Sequence, residues 1–284
     1  YQGKIRDGKF GDYTDGATVF ECKNCQTRRL ENKFCVEQSA YESNAYRQKL
    51  KQDILSETFH KTHNAMASYF LSVLHPFNLN EKIVVDVGSG GGHLLDAIGD
   101  GPSKKIAIEP TPNFHQRLNE KGFEVFSYAE NALPKYSNKV DFAFSQFVIE
   151  HVENPLSYLK SINLLLNNEG FAIVCTPNAD DIMLDMLPDD YPSFFYRTVH
   201  RFYFNAKSLT EAGRQAGLET ISIRYLQRYR MDNALFWLRD RRPSGTKSFS
   251  PINEEMSKMW KERLEELGRS DCIYAIYRKR TNVG

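Results

Sequence analysis

The chain has 284 residues, enough for one large α/β domain with appendages, and its 37 basic residues nearly balance its 36 acidic ones. The resulting net charge of +1 argues against a nucleic-acid or membrane-surface binder, because such proteins usually carry a lopsided charge. No apolar run approaches the ~20 residues that span a bilayer, so no membrane span is predicted.

Five cysteines, an odd and sparse set, do not form the framework of a disulfide-rich protein. A cytoplasmic, reducing compartment is therefore expected. Because the chain begins without Met, the sequence leaves open whether a targeting segment lies upstream. Cys22-x-x-Cys25 resembles half of a zinc knuckle, with Cys35 as a candidate third ligand, but no second Cys-x-x-Cys follows. We predict that this region is metal-free, with a zinc site as the alternative.

The first 80 residues precede the repeating pattern of the main domain. Residues 1–40 are polar and Gly-rich and are predicted to form a small β or irregular lobe. Residues 41–80 are predicted to form a helical cap, with Ser39 as the helix N-cap and Pro76 beyond its end. His60 and His63 share a helix face but lack a nearby acidic or Cys partner, so no metal is predicted there.

Residues 81–284 alternate between short β-branched runs and helical stretches, which predicts βαβ units and a parallel sheet. Strands are predicted at 82–87, 105–109, 123–126, 140–147, 171–176, 219–226 and 272–279. Helices are predicted at 93–98, 111–121, 154–168 and 206–217. Two insertions, at about 179–204 and 227–270, interrupt the pattern, and the second contains a charged helix near 253–267.

The most informative segment runs from Asp86 to Gly92, where an apolar strand leads into Asp-x-Gly-x-Gly-x-Gly. Glycines let the backbone turn tightly and approach a ligand, and open α/β sheets bind ligands at the carboxyl ends of their strands. Glu109 ends the next strand, 23 positions after Asp86, which is typical of a residue that accepts ribose hydroxyls. These residues predict a nucleoside-binding corner.

The chemistry of this corner favours one nucleoside cofactor over another. A dinucleotide site needs Gly-x-Gly-x-x-Gly, but the third glycine position is occupied by His93. A carboxylate at Asp86 would also repel a pyrophosphate, whereas it suits the cationic methionine part of S-adenosylmethionine. We therefore predict S-adenosylmethionine as the cofactor.

At this point the sequence resembles the class I methyltransferase family. The resemblance rests on four segments in order: Asp86–Gly92, Ile108–Pro110, Tyr128–Pro134 and Asp141–Val152. It covers roughly residues 60–225 and the final strand. It implies a doubly wound, mostly parallel seven-stranded sheet with an antiparallel last strand, and an adenine-flanking loop at 128–134.

The resemblance also implies a set of site residues. The residues expected to bind the cofactor are Tyr46, Arg47, Asp86, Gly88, Ser89, Gly90, Gly92, Glu109, Pro110, Ala129, Glu130, Gln146 and Phe147. His151 and His200 are candidate catalytic bases, and backbone-bonded structural histidines are the alternative for both. Tyr196, Arg197, Arg201 and Tyr203 are the expected substrate-binding residues, next to an aromatic segment at 190–197 that forms a lid or simply packs.

The sequence does not identify the methyl acceptor. The segment at 237–245 resembles methyltransferases of bacterial surface-polysaccharide pathways, and its arginines suit a phosphate-bearing acceptor. We expect O-methylation of a sugar, a nucleotide sugar or another polar glycan precursor. The alternatives are C-methylation of a keto sugar, methylation of a quinone, lipid or other small molecule, and a non-catalytic cofactor-binding protein. The sequence does not indicate an oligomeric state.

Overall fold

The structure is a computed structural model that describes residues 1–8, 10–43, 57–244 and 247–280. Two of the expected cofactor-binding residues, Tyr46 and Arg47, lie outside the described residues. Among the described residues, every helix is too short or too polar to cross a bilayer.

Eleven strands are found in the described ranges. They are β1 Gln2–Arg6, β2 Tyr13–Glu21, β3 Arg28–Leu30, β4 Ile83–Val87, β5 Lys104–Ile108, β6 Glu124–Phe126, β7 Val140–Gln146, β8 Leu166–Pro177, β9 Phe202–Tyr203, β10 Leu218–Leu226 and β11 Cys272–Lys279. The α-helices of the same ranges are α1 Ser39–Glu42, α2 Glu57–Leu74, α3 His93–Ala97, α4 His115–Glu120, α5 Ala129–Tyr136, α6 Pro155–Leu165, α7 Ile182–Met186, α8 Tyr191–Phe195, α9 Ala206–Gln215, α10 Met231–Asp240 and α11 Glu254–Glu266.

The main sheet confirms the predicted fold class. Within the described residues it has seven strands in the order β10-β11-β8-β7-β4-β5-β6. The pairs among β6, β5, β4, β7 and β8 are parallel, and β11 runs antiparallel to both of its neighbours. Because β4 lies between β5 and β7, its carboxyl end opens at the point where the strand order reverses, and ligands bind there in such sheets.

Helices cover both faces of this sheet, as a doubly wound fold requires. On one face, α5, α6 and α9 supply buried side chains such as Ala132, Leu159 and Leu209. On the other, α2, α3 and α4 supply others such as Phe70 and Leu95. Burying side chains of this size stabilises the fold by roughly 1.5–3 kcal/mol each relative to exposure, which holds the strand ends in place.

Three local predictions are corrected by the structure. The expected adenine-flanking loop at 128–134 is largely the helix α5, whose first turn is stabilised by Asn131 Oδ1, which accepts the N–H of Tyr128 at 3.1 Å. The helix predicted at 154–168 ends at Leu165, because β8 already begins at Leu166 and pairs there with β7. Ser39 lies inside α1 rather than at its N-cap, which is Gln38.

The N-terminal lobe shares its sheet with the first insertion. Within the described residues this second sheet has the order β1-β2-β3-β9, and β9 comes from the end of the 179–204 insertion. Buried side chains of the lobe, such as Ile5 and Leu30, pack against Tyr191 and Trp237 from the two insertions. The lobe is therefore fixed beside the carboxyl edge of the main sheet, where β1 ends.

The five cysteines, all within the described ranges, are free thiols. Cys175 and Cys272 are fully buried in the core. Cys25 lies 3.1 Å from Thr27 Oγ1, and Cys35 faces the carbonyl groups of Leu30 and Glu31.

Candidate functional site

A cavity of about 500 Å³ opens at the carboxyl end of β4. That volume is within the range of cofactor and substrate sites in proteins. We divide its lining into two halves. The cofactor half contains Thr62, His63, Met66, Asp86, Gly88, Ser89, Gly90, His93, Leu94, Gln146 and Phe147. The acceptor half contains Arg6, Glu150, His151, Pro177, Asp181, Tyr191, Phe194, Phe195, Arg197, His200, Arg228, Tyr229 and Asp271.

The glycine corner of the cofactor half needs glycine for steric reasons. Gly88 has φ +83°, a left-handed conformation, and a Cβ there would lie 2.3 Å from Val148 Cγ2. Gly92 has φ +78°, and its Cβ would lie 2.8 Å from Leu118 Cδ2. The N–H groups of Gly88 and Ser89 both donate to Ile108 O, at 2.8 and 3.1 Å, which ties the turn to β5. A side chain at Gly88 would therefore displace the wall of the site.

Glu109 braces this corner from behind. Its Oε2 accepts the N–H of Gly90 at 2.7 Å, and its Oε1 accepts the N–H of Thr111 at 2.9 Å. The side chain is buried, and it does not belong to the residues that line the cavity. Each carboxylate oxygen can accept a second hydrogen bond, so Glu109 is still able to accept a ribose hydroxyl. That role stays a prediction.

Asp86 places a buried acid in the cofactor half. Burial raises the pKa of its carboxyl group to about 7, and the charge of Glu109 raises it further in the same direction. Nearby, the buried Oγ of Ser89 has no hydrogen-bond partner among the described residues. In the part of the chain that the structure describes, the Asp86 carboxylate has no ion-pair partner and the Ser89 hydroxyl has no hydrogen-bond partner. The two groups fit a ligand with a positive charge and polar groups, as S-adenosylmethionine has.

The turn after β7 joins the two halves. Phe147 is a non-glycine residue with φ +56°, and its N–H donates to Cys175 O at 2.9 Å. Gln146 Nε2 donates to Met66 O at 3.1 Å, which ties this turn to α2. The guanidinium of Arg228 lies 4.9 Å from the ring centroid of Phe147. Backbone strain of this kind is concentrated at functional sites.

Both candidate bases lie in one cluster with Glu150. The rings of His151 and His200 meet edge to face, with their centroids 4.8 Å apart. His151 Nε2 lies 3.9 Å from Glu150 Oε1, and His151 Nδ1 lies 2.6 Å from Val199 O. Because a carbonyl oxygen only accepts, the proton of His151 is assigned to Nδ1, which leaves the lone pair on Nε2.

Burial governs the protonation of this cluster. Burial, with the charges of His151, Arg197 and Arg6, holds the pKa of His200 well below its ordinary value, so its imidazole is neutral. Burial also raises the pKa of Glu150 to about 7. Glu150 Oε2 accepts the hydroxyl of Thr176 at 3.0 Å, while Oε1 has no hydrogen-bond partner in the described part of the chain.

The same three side chains could hold a metal ion. Their ligand atoms lie within 4.8 Å of one another, and no other such group of His, Cys, Asp or Glu occurs among the described residues. Cys22, Cys25 and Cys35 do not form one. The sequence predicted no metal in this protein, and that stays a prediction.

Of the four expected substrate residues, one lines the cavity. Arg197 does so, and Tyr203 supports it by accepting the N–H of Arg197 on its hydroxyl oxygen at 2.7 Å. Tyr196 stacks on Tyr1 instead. Arg201 turns away from the cavity and donates to Val36 O at 3.0 Å.

Five of the expected cofactor residues that the structure describes lie outside the cavity lining, Glu109 among them. Gly92 and Pro110 belong to the turns behind it, and Ala129 and Glu130 begin α5. The predicted phosphate-binding arginines are also elsewhere, because Arg239 pairs with Asp240 and Arg241 pairs with Asp190 on the surface. Those arginines therefore do not support the expected phosphate-bearing acceptor.

Sequence reasoning missed much of the acceptor half. Arg6, Asp181, Arg228, Tyr229 and Asp271 come from distant segments and follow no local motif. Besides His151, His200 and Arg197, the signal for this half was the aromatic segment at 190–197, and Tyr191, Phe194 and Phe195 do line the cavity. Arg228 Nε donates to Asp271 Oδ2 at 2.6 Å, so this pair is internally neutralised.

Comparison with known families gives one match of wide extent. Residues 58–223 match the model of a methyltransferase domain family. That range contains β4 to β8, the glycine corner and the cluster of Glu150, His151 and His200. It is more than half of the chain.

Individual relatives match shorter stretches. A tRNA U34 carboxymethyltransferase of Aliarcobacter butzleri is 27% identical over 159 residues, which is 52% of this chain and 50% of the relative. A ubiquinone biosynthesis O-methyltransferase of Histophilus somni is 34% identical over 113 residues, 35% of this chain and 47% of the relative. The chain thus spans about half the length of the curated relatives it matches.

A solved structure of a SAM-dependent methyltransferase from Archaeoglobus fulgidus superposes with a TM-score of 0.53. The superposition covers 82% of this chain and 98% of the other at 16% identity, so it shows a shared fold.

Proposed function

The chain belongs to the methyltransferase domain family, and from this premise we propose that it methylates a hydroxyl group of a sugar, a nucleotide sugar or another polar glycan precursor. The protein is a methyltransferase, and S-adenosylmethionine is its cofactor. The observation that carries the proposal is the acceptor half of the cavity, where two histidines, three acids and three arginines line one space. Such a lining suits an acceptor with many polar groups.

S-adenosylmethionine supplies an electrophilic methyl group on a sulfonium, and the protein must place the acceptor oxygen within ~3–3.5 Å of that carbon. Asp86 and Ser89 would hold the donor, and the turn at Phe147 lies where the cofactor half meets the acceptor half. Tyr191, Phe194 and Phe195 form an aromatic wall that excludes water from the acceptor half.

A hydroxyl acceptor must also lose its proton as the new C–O bond forms. His200 is neutral, so its imidazole accepts that proton without first losing one. His151 is the second candidate base, with the lone pair assigned to Nε2 facing Glu150. His151 Nε2 lies beside Glu150, which stabilises the charged ring once it forms. Both histidines line the same cavity as Asp86.

The alternative acceptors differ in what they demand of the cavity. A quinone or lipid needs an apolar channel, whereas the acceptor half carries charged side chains from several segments. One relative is named as a tRNA U34 carboxymethyltransferase. A protein that binds tRNA usually carries an excess of positive charge, whereas the net charge of this chain is +1, which does not favour a tRNA acceptor. C-methylation and binding without catalysis stay as alternatives. The cytoplasmic location stays a prediction.

A methyl-transfer assay over nucleotide sugars, free sugars, quinones and tRNA tests the proposal. We expect transfer to a sugar-bearing acceptor and a loss of about 10²–10⁴-fold in kcat when the base is replaced in His200→Asn or His151→Asn. His75→Asn is the matched control, because His75 is exposed at the end of α2. Transfer only to a quinone or tRNA would reject the acceptor, and full activity in both histidine variants would reject the base.

A further inference from the structure

We propose that Arg6 and Arg197 form a subsite for an oxyanion, so that the acceptor carries a carboxylate or a phosphate close to the methylated hydroxyl. This inference rests on the proposed function, because it specifies the acceptor that the same cavity takes. It adds a residue of the N-terminal lobe, outside the range that matches the family model.

Backbone contacts bring the two arginines together. Arg6 ends β1, where its N–H donates to Tyr196 O at 2.9 Å and its carbonyl accepts the N–H of Thr198 at 3.0 Å. Arg6 and Arg197 form an isolated parallel β-bridge, and both side chains line the cavity. The guanidinium of Arg6 lies 3.9 Å from the ring centroid of Phe194, which holds it against the aromatic wall.

Neither guanidinium is neutralised within the described part of the chain. The Nε atoms of Arg6 and Arg197 are buried and have no hydrogen-bond partner there. No ion pair involves either side chain among those residues, in contrast to Arg228, which pairs with Asp271 at 2.6 Å. Burial and the charge of Arg197 lower the pKa of Arg6 to about 9, as expected for a cation held without a counter-ion.

The nearby acids are already engaged. Asp181 accepts the N–H of Met183 at 3.0 Å and the hydroxyl of Tyr191 at 3.1 Å, and burial raises the pKa of its carboxyl group to about 7. Glu150 feels the charge of Arg197 but lies beyond ion-pair distance, and its own pKa is raised by burial. Among the described residues, the acceptor half therefore holds two cations that no carboxylate compensates.

A bound oxyanion would supply the negative charge that compensates Arg6 and Arg197. Guanidinium groups present fixed pairs of N–H donors that match carboxylate and phosphate oxygens, and two of them side by side favour an anion over a neutral hydroxyl. Arg197 lies three positions before His200 in the chain, and both line the cavity. The anionic group would thus anchor the acceptor next to the proposed base.

Calorimetry on the protein saturated with S-adenosylhomocysteine tests the subsite. The probes are inorganic pyrophosphate, glucuronate and, as the neutral match, glucose. We expect at least one anion to bind and glucose not to bind. Arg6→Gln and Arg197→Gln should each weaken the anion at least about tenfold, since each removes charge and donors. Lys4→Gln is the matched control, because Lys4 lies on the same strand with an exposed side chain.

The outcomes separate the two anions and the two proposals. Pyrophosphate alone would indicate a phosphate-bearing acceptor, and glucuronate alone a carboxylate. An unchanged S-adenosylhomocysteine affinity shows that each variant is folded. No anion binding, or binding that neither arginine variant weakens, overturns the subsite even if neutral sugars are methylated. Arginine-dependent anion binding without any methyl transfer would instead keep the subsite and reject the proposed function.

Discussion

The two halves of the cavity are built in different ways. The cofactor half centres on one continuous turn, residues 86–92, whose backbone is fixed by two hydrogen bonds to β5 and by Glu109. The acceptor half collects side chains from β1, α8, the turn after β7, and the loops at 197–200, 228–229 and 271. The first is a local structure that tolerates little change, and the second depends on how distant segments pack.

The largest effect is expected at Gly88 in the cofactor half, where the backbone conformation and the packing leave no room for a side chain. Gly88→Ala puts a Cβ into Val148 and forces an alanine into a left-handed turn, so we expect at least about a 100-fold loss of S-adenosylhomocysteine affinity by calorimetry. Gly99→Ala is the matched control. Its φ is +74°, yet nothing lies within 4 Å of its Cβ, so it tests backbone strain alone. Equal losses in both variants would show that the Val148 contact is unimportant.

A smaller effect, dependent on pH, is expected at Asp86. The pKa of its carboxyl group is about 7, so the group is mostly protonated below that pH. A cationic ligand binds the ionised carboxylate, and at lower pH it must therefore displace a proton from Asp86. S-adenosylmethionine affinity should rise about tenfold between about pH 6 and about pH 8. Asp86→Asn should remove this dependence and weaken binding at about pH 8. Glu150 and Asp181 titrate in the same window, so a slope retained in the variant would assign it to them.

The same group makes a prediction for stability. Because its folded-state pKa lies above the unfolded value, Asp86 stabilises the fold at low pH, and this contribution is lost as the pH rises through about 7. The unliganded Asp86→Asn variant should therefore melt at a higher temperature than the wild type at about pH 8. The difference should vanish at about pH 4, which differential scanning calorimetry can measure.

A substitution in the acceptor half should weaken binding of the acceptor without changing binding of the cofactor. Tyr203→Phe removes the hydroxyl that accepts the Arg197 N–H, leaving a buried donor unpaired at a cost of about 1–3 kcal/mol in unfolding free energy. We expect the KM for the acceptor to rise several-fold, with the cofactor affinity unchanged. Steady-state kinetics and calorimetry measure the two. A matching loss of cofactor affinity would mean that the halves are mechanically coupled.

The smallest effect is expected from metal removal. The charges of Arg197 and Arg6, which lower the pKa of His200, also repel a divalent cation from Glu150, His151 and His200. Treatment with EDTA should change kcat by less than about twofold, and elemental analysis should find no stoichiometric zinc. Activity restored only by added metal would assign the cluster to metal binding instead.

The positions of the strands along the chain and the glycine corner were predictable, because each depends on neighbours in the sequence. A β-branched run followed by glycines encodes a strand and a turn within a dozen residues. Asp86, Gly88, Ser89 and Gly90 of that turn line the cavity, and their contact with the cofactor stays a prediction. The helix at 129–136 was missed because its start looks like a loop and Pro134 lies inside it. Tyr196, Arg201 and Tyr203 come from the right region of the chain, but they do not belong to the residues that line the cavity.

The sequence by itself determined the fold class and the glycine turn at 86–92, since hydrophobic periodicity and backbone freedom act over short distances. It also singled out His151 and His200, which both line the cavity, while their role as bases stays a prediction. Only the tertiary structure decided that β9 joins the N-terminal lobe to the first insertion. That pairing, with the β-bridge between Arg6 and Arg197, brings together two arginines 191 positions apart. No local pattern specifies such a contact, because it depends on the packing of whole segments and on the side-chain rotamers that packing selects.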